Sequence, residues 1–222
     1  MDYLDFAVIL LQIVLIDLLL GGDNAVVIAM ACRKLPPERQ KKAIVLGTAG
    51  AVVARIVLLV IAVYLLSVPW LKIVGALLLL WIGCKLVASE EDDADIASDN
   101  RLWKTVLTIT MADVVMSLDN VLAVAAAGKG NLWLVSFGVI ISIPIIMMGS
   151  KLVLALLDRF PFIVMVGGAL IGWIAGSMLV TDPAIVKYTA AVHSLHIIAG
   201  ITGAMLVVLY GVGKNAFARR KR

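Results

Sequence analysis

The sequence predicts an all-α polytopic membrane protein: seven transmembrane helices, built as two inverted three-helix repeats with a seventh helix added. Three observations lead there. Of 222 residues, 63% are hydrophobic and only 15% charged, whereas soluble domains are nearer half apolar with about 25% charge. The mean hydropathy is +1.08, more apolar surface than a water-soluble fold of this size hides. The apolar residues also fall in long runs without period-2 alternation, which favours helices over a barrel, the other structure that satisfies its backbone in lipid.

A span needs about 20 apolar residues, and seven runs meet or approach that length: roughly 5–32, 43–67, 70–88, 105–127, 132–156, 162–180 and 184–211. They are divided by RKLPPERQKK (33–42), a Ser67-Val68-Pro69 turn, SEEDDADIASDNR (89–101), GKGN (128–131), DRFP (158–161) and TDP (181–183), and followed by the basic tail KNAFARRKR (214–222). The resulting organisation is a first repeat at 1–88, an acidic linker at 89–104, a second repeat at 105–181, and a seventh helix with its tail at 182–222. The opening MDYLD lacks a basic n-region, and the apolar run behind it is longer than a cleaved signal peptide uses, so Met1 is expected to begin the working protein.

Lysine and arginine mark the cytoplasmic side. With the 33–42 loop inside, that side collects Arg33, Lys34, Arg39, Lys41, Lys42, Lys85, Arg101, Lys104, Lys151, Arg159 and five residues of the tail, fifteen in all. The opposite side receives three, Lys72, Lys129 and Lys187, with Arg55 left within the membrane. The expected location is the cell membrane, with the N-terminus outside and the C-terminus cytoplasmic. A charge distribution that follows topology gives no reason to expect nucleic acid as a partner. The acidic run Glu90, Glu91, Asp92, Asp93, Asp95 and Asp99 reads as a solvated linker. Cys32 and Cys84 sit in no metal-binding spacing and read as reduced packing thiols.

The halves repeat each other. Asp17-LLLGG-Asp23-Asn24-AVVIA in the first span matches Asp113-VVMSL-Asp119-Asn120-VLAVA in the fourth, 96 residues on. Pro69-WLKIVGALLLLWIG and Pro161-FIVMVGGALIGWIA open the third and sixth spans, 92 residues apart. Since the first and fourth spans run in opposite directions, three-helix repeats are inverted, a transporter plan that places substrate near the midplane.

Asp17, Asp23, Asp113 and Asp119 are the acids placed deep in the membrane. Each costs about 2.5–3.5 kcal/mol at a helix centre, about 10–14 kcal/mol for four, so a cation or protons must offset them. The structural alternative is that Asp and Asn only bond neighbouring helices. Asp17 and Asn24 share a stripe, as do Asp113 and Asn120, whereas the second Asp of each motif lies about 120° from the first on an unbroken helix. Gly21-Gly22 can unwind the first span and bring its carboxylates together. Ser117-Leu118 stands there in the second copy, so a break is less strongly expected in it.

Carboxylate, amide and hydroxyl oxygens are hard donors that suit Mn²⁺, Mg²⁺ or Ca²⁺. The candidate ligands are therefore Asp17, Asp23, Asn24, Asp113, Asp119 and Asn120, with Ser117 and Met116 as additional ligands; a lone Met on an apolar helix is more often packing. Four carboxylates around a divalent ion leave two negative charges, of which Arg55 removes one and a proton another, so metal–proton exchange is the expected mechanism. Arg55 is expected to pair with a motif Asp, as a structural counter-ion or as a tethered cation. His193 and His196, three apart, share a face that suits a proton relay or metal binding, although interhelical hydrogen bonding is the better reading of the pair. No nucleophile–base arrangement points to an enzyme. No cofactor is expected beyond a transported divalent cation; the partners are the bilayer, the ion, protons and, where helix faces pair, a second copy in a homo-oligomer.

The pair GGDNAVVIA and SLDNVLAVAAAG, within a seven-helix layout, resembles the TerC family of integral membrane proteins, and in particular its short bacterial branch associated with manganese-responsive regulation, within the LysE-like transporter superfamily. The resemblance covers nearly the whole chain. It implies Mn²⁺ export from the cytoplasm and carries the family's acidic motif onto Asp17, Asp23, Asn24, Asp113, Asp119 and Asn120. The family's name comes from tellurium resistance, a phenotype that does not make tellurite a substrate. Two other readings are an accessory membrane protein, linked to metal or tellurium resistance, whose acids hold helices together, and an exporter of a basic amino acid.

Overall fold

The computed structural model describes residues 3–65, 68–88, 98–128, 131–189 and 194–220. All regular structure among them is helical, in the order α1 (Tyr3–Gly21), α2 (Asn24–Cys32), α3 (Pro37–Leu65), α4 (Leu71–Val87), α5 (Ser98–Ala127), α6 (Leu132–Arg159), α7 (Ile163–Leu179), α8 (Val186–Thr189) and α9 (Leu195–Arg220). Three stretches are long and apolar enough to cross a bilayer, Pro37–Ile61, Leu132–Arg159 and Leu195–Ala216, and the α1–α2 pair makes a fourth if its bend is counted as one broken span. Large apolar side chains such as Leu19 and Trp133 stand more than 80% exposed. That is the surface of a protein solvated by lipid rather than water.

Several elements differ from the boundaries read along the sequence. The first span is two helices, since α1 stops at Gly21 and α2 leaves at 52°. The second begins at Pro37, which is favoured in a first helical turn because its missing N–H has no partner to lose, so the polar loop shrinks to Arg33–Pro36. α5 begins at Ser98, taking in the last residues expected to be linker; most of the acidic run lies outside the described residues. The seventh span is a short α8 followed by α9.

The helices group into two compact units that do not follow the sequence halves: one holds residues 1–66 and 105–155, the other 67–104 and 156–222. In the first, Ile13 of α1, Met30 of α2, Ile44 of α3, Ile109 of α5 and Val135 and Val139 of α6 are fully buried. Helices α3 and α5 meet closely because Gly47 and Gly50 lack side chains. A Cβ would stand 2.9 Å from Ile109 at Gly47 and 2.7 Å from the Thr110 hydroxyl at Gly50.

The second unit packs α7 against both α4 and α9. Gly172 and Gly176 of α7 lie directly on the backbone of Gly203 and Ala199 in α9, with Gly200 against the Trp173 ring. This is the small-residue contact that membrane helices use to approach, since lipid tails offer no hydrophobic drive between helices. Here Trp70 takes a left-handed φ of 70° immediately before α4. Its N–H, with those of Lys72 and Ile73, donates to the fully buried carboxylate of Asp182 at 2.9–3.2 Å. Ala184 N–H adds a fourth bond at 2.7 Å. Burial works to raise the pKa of Asp182, but the bonds from Ala184, Trp70, Ile73 and Lys72 outweigh it and hold the carboxyl below the usual range.

Candidate cation site

Four of the sequence's candidate ligands, Asp17, Asn24, Asp113 and Ser117, meet within the first unit around the Arg55 guanidinium. Arg55, 6% exposed on α3, donates from Nη1 to Asp17 Oδ1 at 2.6 Å and from Nη2 to Asp113 Oδ1 at 2.7 Å. Its Nε reaches the Ser117 hydroxyl at 3.1 Å, and that hydroxyl donates to Asp113 Oδ2 at 3.3 Å. Asn24 donates from Nδ2 to the same Asp113 Oδ1 at 2.7 Å. Helices α1, α2, α3 and α5 are thereby joined through one cluster whose members are all buried. Ser142 of α6 completes it with a short contact to Asp17 Oδ2.

The break between α1 and α2 positions half of this cluster. Gly22 and Asp23 form the turn, and the Asp23 carbonyl accepts from Val26 and Val27 to start α2. A Cβ at Gly21 would lie 3.4 Å from Asn24 Nδ2 and 3.9 Å from Arg55 Nη1, so a bare backbone gives those side chains their room. Beyond the turn, Asn24 points back at Asp113. The second copy has no such break: α5 runs unbroken through Asp113, Ser117 and Asn120.

Two oxygens at the break have no partner. Asp23 Oδ1 and Asn24 Oδ1 are both buried without a hydrogen bond, as is the Thr48 hydroxyl one helix away. A buried unsatisfied polar atom costs about 1–3 kcal/mol. Beside the Arg55–Asp113 pair lies a cavity of about 20 Å³, lined among others by Thr48, Arg55, Asp113, Val139 and Ile146, room for about one water.

These observations place the chain among known proteins. The sequence profile of the integral membrane protein TerC family matches residues 3–220. The chain belongs to the TerC family. It is 42% identical over 208 residues to the membrane protein YjbE of Bacillus subtilis (strain 168), covering 94% of this chain and 95% of that one. Identity to YceF of the same organism is 30% over 177 residues, or 75% of this chain and 68% of YceF. Against YegH of Escherichia coli (strain K12), 26% identity over 175 residues covers 70% of this chain and 33% of YegH. No solved structure matches this TerC protein.

The remaining candidates of this TerC chain are distributed differently. Asn120 donates to the Leu20 carbonyl at 3.0 Å, tying α5 to the last turn of α1. Met116 is buried on α5. The Asp119 side chain and His193 lie outside the described residues, and His196 stands exposed near the start of α9 in the second unit. Among the described residues, no three of Asp, Glu, His and Cys converge as a preformed metal cage; Arg55 stands between the carboxylates instead. Sequence reasoning did not single out Ser142. Its one signal is a hydroxyl in the apolar run VIISIPII, two residues before Pro144.

Proposed function

We propose that this TerC protein is a transporter for a hard divalent cation, with Mn²⁺ the favoured cargo, exporting it from the cytoplasm in exchange for protons. The observation that carries the proposal is the charge of the Arg55 cluster. Asp17 and Asp113 of the cluster, with Asp23 at the helix break beside it, leave two negative charges against one guanidinium when all three are ionised, in a low-dielectric interior where unpaired charge is costly. A divalent ion neutralises that excess, and so do two protons. Alternation between them is exchange.

The residues divide the work. Asp23 and Asn24 offer unpaired oxygens at a helix break, where discontinuous spans of other transporters hold their ions. Asp17 and Asp113 are released as ligands if Arg55 turns aside, so Arg55 acts as the cation that keeps the site closed between cycles. Ser142 holds Asp17 from the side away from Arg55, through a hydroxyl that also reaches the Val139 carbonyl. In this reading the chain crosses the membrane seven times as inverted repeats, with its N-terminus outside.

The test is flux of Mn²⁺, Mg²⁺ and Ca²⁺ in proteoliposomes, with and without a pH gradient, for wild type and Asp23→Asn. The proposal expects metal flux that follows the pH gradient in wild type and falls at least tenfold in the variant. A second reading, an accessory protein whose buried acids hold helices together, draws on the extensive bonding of Arg55. Equal metal flux in wild type and variant would favour it.

A further inference from the structure

The second unit contains a cavity that the cation site does not use. It has about 260 Å³ of space and is lined by Trp81, Cys84, Lys85 and Ala88 at the end of α4 and by Tyr210 and Lys214 of α9. That far exceeds the roughly 30 Å³ share of one water and falls just short of the 300 Å³ at which drug-sized pockets begin. Among the described residues its chemistry is one-sided: two ammonium groups, an indole, a phenol and a thiol, with no carboxylate in the lining. Lys85 Nζ stands 5.1 Å over the Trp81 ring, a cation–π contact that holds the charge at the rim. Lys214 falls two residues before the end of the apolar stretch Leu195–Ala216, at the depth where a bilayer turns from acyl chains to headgroups. Trp81 and Tyr210 are about half exposed beside it, as the amphipathic rings of an interfacial belt are.

We infer that this cavity binds the phosphate of an anionic lipid headgroup, with Lys85 and Lys214 as its two cationic contacts and Trp81 and Tyr210 flanking the glycerol and upper acyl region. Free inorganic phosphate shares the charge but not the apolar flank: both rings point to a ligand with a hydrocarbon end. The acidic residues that follow Ala88 in sequence, Glu90 to Asp95, are the competing occupant within the chain. The inference stands apart from the cation site and from the proposed transport.

The experiment places the full-length chain in nanodiscs of phosphatidylcholine alone or with a minor fraction of phosphatidylglycerol. Retained lipid is read by native mass spectrometry, and alkylation of Cys84 by N-ethylmaleimide is followed by peptide mapping. Wild type is expected to retain a phosphatidylglycerol, and retention should weaken about fivefold for Lys85→Gln or Lys214→Gln and about thirtyfold for the pair, in line with about 1 kcal/mol per basic residue. The Lys85→Arg/Lys214→Arg pair should keep it. In wild type, which needs no variant to fold, phosphatidylglycerol should also slow Cys84 alkylation several-fold. Equal retention by wild type and the Gln pair, or unchanged Cys84 alkylation, overturns the inference. So does protection of Cys84 in phosphatidylcholine by inorganic phosphate, which would make the ligand free phosphate. Protection in phosphatidylcholine that disappears when Glu90, Glu91, Asp92 and Asp93 are changed to Gln or Asn would assign the cavity to the acidic segment and equally overturn it.

Discussion

The two compact units hold their helices together by opposite means. In the first, charged and polar side chains from four helices gather around a guanidinium that a fifth supplies. In the second, glycines bring α7 and α9 backbone to backbone, and a single buried carboxylate collects amide hydrogens. Charge clusters bought with desolvation are poor sources of net stability, whereas close backbone contact is an efficient one in lipid. The difference separates roles: the first unit keeps costly charged groups where a cation could use them, whereas the described α7–α9 contact of the second carries one unpaired hydroxyl, that of Ser177 beside Gly200, and no charge.

That contrast breaks most readily at Arg55. Arg55→Gln leaves two buried carboxylates without their counter-ion and should cost about 3–5 kcal/mol, seen as a lowered unfolding midpoint in detergent. Asp113→Asn in the same background should return part of it, because the charge left unpaired is removed. The corresponding injury to the second unit is Gly176→Ala, which drives a methyl into the Ala199 carbonyl. It should cost about 1–3 kcal/mol by overpacking, and proteolysis should show loosening in α7 and α9 first.

A smaller effect separates the two kinds of buried acid. Asp182→Ala should cost about 1–2 kcal/mol, the range for a lost helix cap. The pH dependence has a definite sign. The pKa of Asp182 is lower in the folded chain than the roughly 3.9 of an unfolded Asp, so its contribution is complete above that value and fades as pH falls below it. Unfolding midpoints of wild type and Asp182→Asn should therefore differ at pH 7 and converge toward pH 3. Gly22→Ala is the finest probe: its Cβ would stand 3.1 Å from the Leu18 carbonyl. It should cost no more than about 1 kcal/mol, roughly the scale of a backbone glycine effect. Metal flux should nevertheless fall several-fold, because the bend that aims Asn24 at Asp113 is disturbed. A change in stability without a change in flux would remove the break from the mechanism.

The two motif copies show where sequence reasoning reached and where it stopped. Gly21-Gly22 before Asp23 pointed to a broken helix, and the break at Gly22–Asp23 follows from the low helix propensity of adjacent glycines. The four-residue spacing of Asp113 and Ser117 likewise puts both on one face of α5, where they bond. These are local matters of spacing. The boundaries misplaced at Pro37, Ser98 and Leu195 are helix ends, where amphipathic and capping residues look like loop until the helix that contains them is known.

What the sequence determined by itself, then, was a helical chain in lipid, the repeated acidic motif, and a kink in its first copy, because apolar length, residue spacing and glycine propensity act within a few turns. What only the tertiary structure decided was the company these acids keep. Arg55 lies 38 residues from Asp17 and 58 from Asp113, Ser142 lies 125 from Asp17, and Asp182 lies 112 from Trp70. No local rule joins such positions; they meet because helices distant in sequence pack side by side.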